Sequence, residues 1–150
     1  MLSQHGWQLY ATCDISKSST KKSTFFFQYK QVVAEPINFC FSLNEWNKFR
    51  VINGSSSVID NVRSSIVDGW PRGIRDEGQY KGSWQFKLHG QPFSQSWNVD
   101  NIHAVGMMLY CMHRMKALGF KFICSADLSA KQHDGNSRDV HSFFFSGGWN

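Results

Sequence analysis

The pattern of this chain predicts an α+β fold: a mainly antiparallel sheet of about six or seven strands with two helices on one of its faces. Three features lead to that class. Apolar and polar residues alternate over short stretches, as in Trp7 to Ser16 and Ser83 to Leu88, the mark of half-buried strands. Two segments with helical spacing, Val58 to Asp68 and a longer one running from Asn98–Asp100 to Leu118, separate groups of strands. The third feature is an internal pseudo-repeat. Gly6 to Ser16, leading to Phe25, Phe26 and Phe27, returns as Gly119 to Ser129, leading to Phe143, Phe144 and Phe145. Glycine, aromatic, hydroxyl, aspartate, serine and triple phenylalanine keep their order, and the second joining loop is five residues longer.

The elements follow from the chain in order. In the first strand Trp7, Leu9, Ala11, Cys13 and Ile15 share one face, with Gln8, Tyr10, Thr12, Asp14 and Ser16 on the other. Lys17 to Lys22 is a solvated loop of serine, threonine and lysine. The strand from Thr24 to Lys30 carries consecutive phenylalanines, which predicts a central position with apolar contact on both sides. Asn38 to Ile52 reads either as a helix capped by Ser42 and Glu45 or as a hairpin, Phe39, Phe41 and Leu43 alternating before a turn at Asn44 to Asn47 and a return through Phe49 and Val51. The hairpin is favoured, because the helix would be short and poorly periodic.

Ser57 is the expected N-cap of the first helix, with Val58, Ile59, Val62 and Ile66 on its buried face and Gly69 at its end. Pro71 to Gly82, rich in glycine and charge, reads as an exposed loop, and Ser83 to Leu88 as a strand burying Trp84, Phe86 and Leu88. On the long helix Ile102, Val105, Leu109, Met112 and Met115 form the expected apolar stripe, and Gly119 stops it. A crossover through this helix permits a parallel strand pair. Ala130 to Asp139 reads as a polar loop, and Val140 to Ser146 as the closing strand.

At 150 residues the chain is long enough to bury roughly 70% of its unfolded surface without disulfide or metal. A single domain of two related halves, about 1–70 and 71–150, is expected. A strand and helix lead into the second copy of the repeat, whereas the first copy lacks them. Either the sequence is a piece of a longer protein or the first copy has lost its helix. Truncation is the favoured reading, and it predicts an uncovered apolar sheet face that invites a partner or self-association. Apolar residues make up 41% and charged residues 18%, with thirteen phenylalanines and six tryptophans, which excludes an intrinsically disordered chain.

The net charge of +5 permits contact with nucleic acid or an anionic membrane surface without demanding either. No apolar run reaches the roughly 20 residues that span a bilayer, no basic-then-apolar leader opens the sequence, and an intracellular setting with reduced cysteines is expected. Cys13, Cys40, Cys111 and Cys124 form no metal-binding spacing and read as buried structural thiols, Cys13 and Cys124 on the same faces as Trp7, Leu9, Phe120 and Phe122. His103 and His113 lie about 280° apart around a helix and cannot face one metal. No nucleophile elbow or phosphate loop is present, and no cofactor is expected.

The candidate binding residues are the repeated Thr12, Asp14, Ser16 and Ser125, Asp127, Ser129, together with Lys17, Lys21 and Lys22. Each triplet projects from one strand face, so the two sets share a surface if the halves pack by a twofold. Asp14 and Asp127 are either paired carboxylates for a cation or acid–base chemistry, as in a hydrolase or transferase, or turn residues that bond to nearby backbone. The turn reading is favoured, since a repeated turn needs a repeated turn residue. Three lysines on one loop, a second basic set at Arg72, Arg75 and Lys81, and the aromatics Tyr10, Tyr80 and Trp97 suit a nucleic-acid-binding domain. A non-enzymatic protein-interaction or binding module is the leading expectation, with nucleic-acid binding as the alternative.

Overall fold

The structure is a computed structural model that describes residues 5–14, 23–31, 36–94, 98–127, 132–133, 136–137 and 140–147. In chain order its elements are β1 (Trp7–Asp14), β2 (Ser23–Tyr29), β3 (Ile37–Asn44), β4 (Lys48–Ile52), α1 (Ser56–Gly69), β5 (Ile74–Tyr80), β6 (Ser83–Leu88), α2 (Val99–Ala117), β7 (Phe120–Asp127), the two-residue β8 (Gln132–His133) and β9 (Asn136–Ser137), and β10 (His141–Gly147). Six of them form one antiparallel sheet in the order β5-β6-β4-β3-β10-β7, while β1 and β2 make a separate hairpin. The fold is α+β, as the pattern predicts.

Alternation decides which face is covered. Phe39 and Phe41 of β3, Phe49 and Val51 of β4, Phe86 and Leu88 of β6, and Phe145 of β10 point to one side. There they meet Val58, Val62 and Ile66 of α1 and Met107, Cys111 and Met115 of α2, all almost wholly buried. The rings interlock at the sheet centre: Phe39 stacks on Phe145 at 5.0 Å, and Phe41 lies 4.7 Å from Phe145 and 5.2 Å from Phe49. The same strands turn Ser42, Asn44, Gln85 and Arg50 to the opposite face. These polar groups satisfy one another, Arg50 donating to Gln85 Oε1 and Asn44 Oδ1 at 2.9 Å each. The hairpin reading of Asn38 to Ile52 therefore holds, with β3 and β4 joined by a turn at Glu45 to Asn47.

Several sequence expectations are corrected. The first helix starts two residues early: Ser55 is its N-cap, its Oγ accepting from the Val58 N–H. The stretch read as a loop, Pro71 to Gly82, contains edge strand β5. Its Arg75, Asp76, Glu77 and Gln79 are exposed, and charged side chains on an edge strand discourage pairing with another chain. Glu77 pairs with Arg63 at 2.8 Å and Asp76 with Lys87 at 3.3 Å.

On α2 the stripe chosen by residue type is largely the wrong one. Ile102, Val105 and Leu109 are 58%, 52% and 62% exposed, whereas Ala104, Met107, Cys111 and Met115 are buried. The helix meets α1 so closely at Gly69 that small and unbranched side chains take the contact. Its start is a reciprocal capping box between Asn98 and Asn101, and Arg72 fixes the first turn through Asp100 at 3.1 Å. The crossover through α2 produces no parallel ladder among the described strands: β7 pairs antiparallel with β10. Nor is β2 central, since it pairs with β1 and leaves Phe26 and Phe27 exposed. The polar loop expected at 130–139 contains β8 and β9.

Candidate functional site

The hairpin and the sheet touch at one end and part at the other. Near the loop end of β1, Thr12 Oγ donates to the Ser125 carbonyl at 3.0 Å, and the Asp127 N–H donates to Ser23 Oγ at 3.4 Å. At the opposite end of the hairpin, Gly6 O accepts from Lys30 N–H at 2.8 Å, and Trp7 meets Tyr29 edge-on at 5.6 Å. Gly6 is fixed as glycine by its φ of +82° and by Lys30 O, 2.6 Å from where a Cβ would stand.

Between that end and the sheet lies a cleft of about 660 Å³. Its sheet wall comes from residues that alternation turns away from the helices. Cys40 faces Phe144 across the β3–β10 ladder, Asn38 faces Ser146, and Lys121 and Ile123 follow from β7. Trp7, Leu9 and Phe27 supply the hairpin wall, and Ile52 closes one side. A register break between Phe144 and Phe145 sets Cys124 opposite Phe144 and Phe122 opposite Phe145. Strict alternation puts Cys124 on the face of Phe122; instead the two lie on opposite faces, because the bulge reverses the faces within two residues.

The cleft is apolar in its body and basic at its edge. Lys30 and Lys121 are among its lining residues, and none of those residues is acidic. Burial pushes the Cys40 thiol up to about 11, opposed by hydrogen bonding to Ser142 and the Phe143 backbone. Cys124 is also raised by burial, with the Thr12 side chain acting against it. The deep Cys111 is pushed up to about 12 for the same reason. These three are protonated, unreactive thiols at neutral pH. Cys13, expected to be buried, is exposed because the hairpin does not join the core. No group of three or more metal-ligating side chains occurs among the described residues.

Of the residues singled out from the sequence, Thr12 and Ser125 are in direct contact. Asp14 ends β1 opposite Ser23, the residue that accepts from Asp127, and the Asp14 side chain lies outside the described residues. Asp127 Oδ1 is buried without a hydrogen-bond partner among the described residues. Ser16, Lys17, Lys21, Lys22 and Ser129 lie outside them. The cleft residues were not legible as a set. The one local signal was the aromatic content of the hairpin, whose phenylalanines were read above as core and whose Tyr10 was read as a base-stacking group.

A domain-family model matches residues 1–28 and 38–146, and the chain belongs to that domain family. Among solved structures, the crystal structure of a conserved kinetoplastid-specific protein from Trypanosoma cruzi is similar to this chain at 15% identity and a TM-score of 0.51. The likeness covers 73% of this chain and 95% of that one, and it shows the fold alone. No curated protein matches. No helix among the described residues is long and apolar enough to cross a membrane.

Proposed function

We propose that this member of the domain family is a non-enzymatic binding module whose partner docks in the cleft between the hairpin and the sheet. One observation carries the reading: the hairpin holds five large aromatics in the open, with Trp7 44%, Tyr10 68%, Phe26 46%, Phe27 42% and Tyr29 67% exposed. A folded monomer gains nothing from leaving that much apolar surface in water, and clustered exposed aromatics mark interaction sites. Trp7, Tyr10 and Phe27 also line the cleft, whose volume falls in the range of ligand sites. The thiol on its wall, Cys40, supplies no thiolate near neutral pH.

The test is a fluorescence titration of the whole chain with the neutral apolar dye N-phenyl-1-naphthylamine. Saturable binding at one site is expected, weakened at least about tenfold by Phe27→Ser, which removes a cleft wall from an exposed position and leaves the main core untouched. Absence of saturable binding, or binding indifferent to Phe27→Ser, overturns the reading.

A further inference from the structure

We infer that the cleft accepts a long-chain amphipathic anion, specifically a free alkyl carboxylate, with its chain between the hairpin and the sheet and its head group at Lys30 and Lys121. The inference rests on the binding reading above and specifies its ligand. The walls that Trp7, Phe27, Ile52, Ile123 and Phe144 provide are aromatic or branched aliphatic and carry no charge. Such a lining selects for hydrocarbon, because each buried methylene is removed from water. Among the described lining residues stand two lysines and no carboxylate, so the charge that this lining presents is positive. A neutral hydrocarbon would leave those ammonium groups unused, and a cation would meet repulsion. The lining also holds the neutral polar side chain of Gln28, while the Asn38 and Asn53 amides donate to the Pro36 and Asn38 carbonyls.

A cleft of about 660 Å³ has room for a chain of a dozen or more carbons. The cleft is also reachable: Lys30 and Lys121 are both exposed, and the hairpin is tied to β7 through Thr12 and Ser23, at the far end from Trp7.

The experiment is displacement of bound N-phenyl-1-naphthylamine by saturated carboxylates of ten, twelve and fourteen carbons, each below its micelle concentration, against the alcohols of equal length. Carboxylates are expected to displace the dye about tenfold more tightly than the alcohols, as a charge-assisted contact requires. Affinity should rise about threefold to fourfold per added methylene. The double variant Lys30→Gln, Lys121→Gln, checked for an unchanged circular dichroism spectrum, should erase the preference for carboxylate and leave the alcohols unaffected. Equal displacement by alcohols and carboxylates, or a carboxylate preference that survives the double variant, overturns the assignment while the binding reading stands. Failure of the dye itself to bind overturns both.

Discussion

A close approach between the two helices makes a sharp test of the packing. Gly69, the last residue of α1, lies under α2, and a Cβ built there would stand 2.6 Å from Met107 Cα and 3.0 Å from Met107 N and from Tyr110 Cδ2. Two of those atoms are backbone, so no side-chain rotation relieves the contact. Reaching an ordinary separation of about 3.5 Å requires α2 to retreat by roughly 0.9 Å, which loosens Met107, Cys111 and Met115 in the core. Overpacking of this kind costs about 1–3 kcal/mol, against a helix-propensity gain of up to about 1 kcal/mol for alanine over glycine. Gly69→Ala should therefore destabilise by about 1–2 kcal/mol.

Gly106, inside α2, has nothing within 4 Å of its built Cβ. Gly106→Ala keeps the propensity gain alone and should stabilise by about 0.5–1 kcal/mol. Urea titrations give both values, and thermal melts should move by roughly 2–4 °C per kcal/mol for a chain of this size. The same chemical change must have opposite signs at the two positions. A Gly69→Ala protein as stable as the parent would refute the close helix contact.

Four further outcomes are expected. Phe41, fully buried among Phe39, Phe49 and Phe145, should cost about 3–5 kcal/mol on replacement by alanine, read from the urea midpoint. Thr12→Val removes the Ser125 contact and should speed hydrogen exchange of β1 and β2 amides by roughly twofold to tenfold, with exchange in the six-stranded sheet unchanged. Iodoacetamide at pH 8 should label exposed Cys13 first, and Cys40 on the order of 100-fold more slowly than a thiol of ordinary pKa, as mapped by mass spectrometry. The sign for stability follows from linkage. Cys40 and Cys111 hold their protons to about 11 and 12 when folded, whereas the unfolded thiols lose theirs near 9. Stability should accordingly be insensitive to these groups below about pH 8 and fall as pH rises from 9 towards 12.

Strands β3, β4 and β6 were legible because each has one covered face, so alternation carried the information directly. The capped ends of α2 were legible for a similar reason, since Asn98 and Gly119 act within a turn of where they stand. Strand β5 was not, because an edge strand facing water shows the composition of a loop: only its pairing with β6 makes it a strand. The buried side of α2 was misjudged because Ile102, Val105 and Leu109 are more hydrophobic than Ala104 and Cys111, and the closeness of α1, not hydrophobicity, selects what fits. The faces of β7 depend on a bulge that leaves no mark in local composition. The cleft is further still from the sequence, since Trp7, Ile52, Lys121 and Phe144 converge only once the strand order is fixed.

That strand order also constrains how the molecule is made. The interior β3–β10 ladder, in which Phe39 stacks on Phe145, is the pairing of greatest sequence separation in the sheet: it joins a strand near residue 40 to one near residue 145. During synthesis β3 and β4 emerge early and can form their hairpin, but one edge of β3 then waits with Phe39 and Phe41 unpaired until nearly the whole fold has been translated. For that interval the growing chain presents an aromatic strand edge, the surface most prone to pairing with a neighbouring chain. Helices α1 and α2, both made before β10, cover the flat of those rings in the meantime. The late strand thus acts as a seal: its arrival both completes the core and pairs the waiting edge of β3.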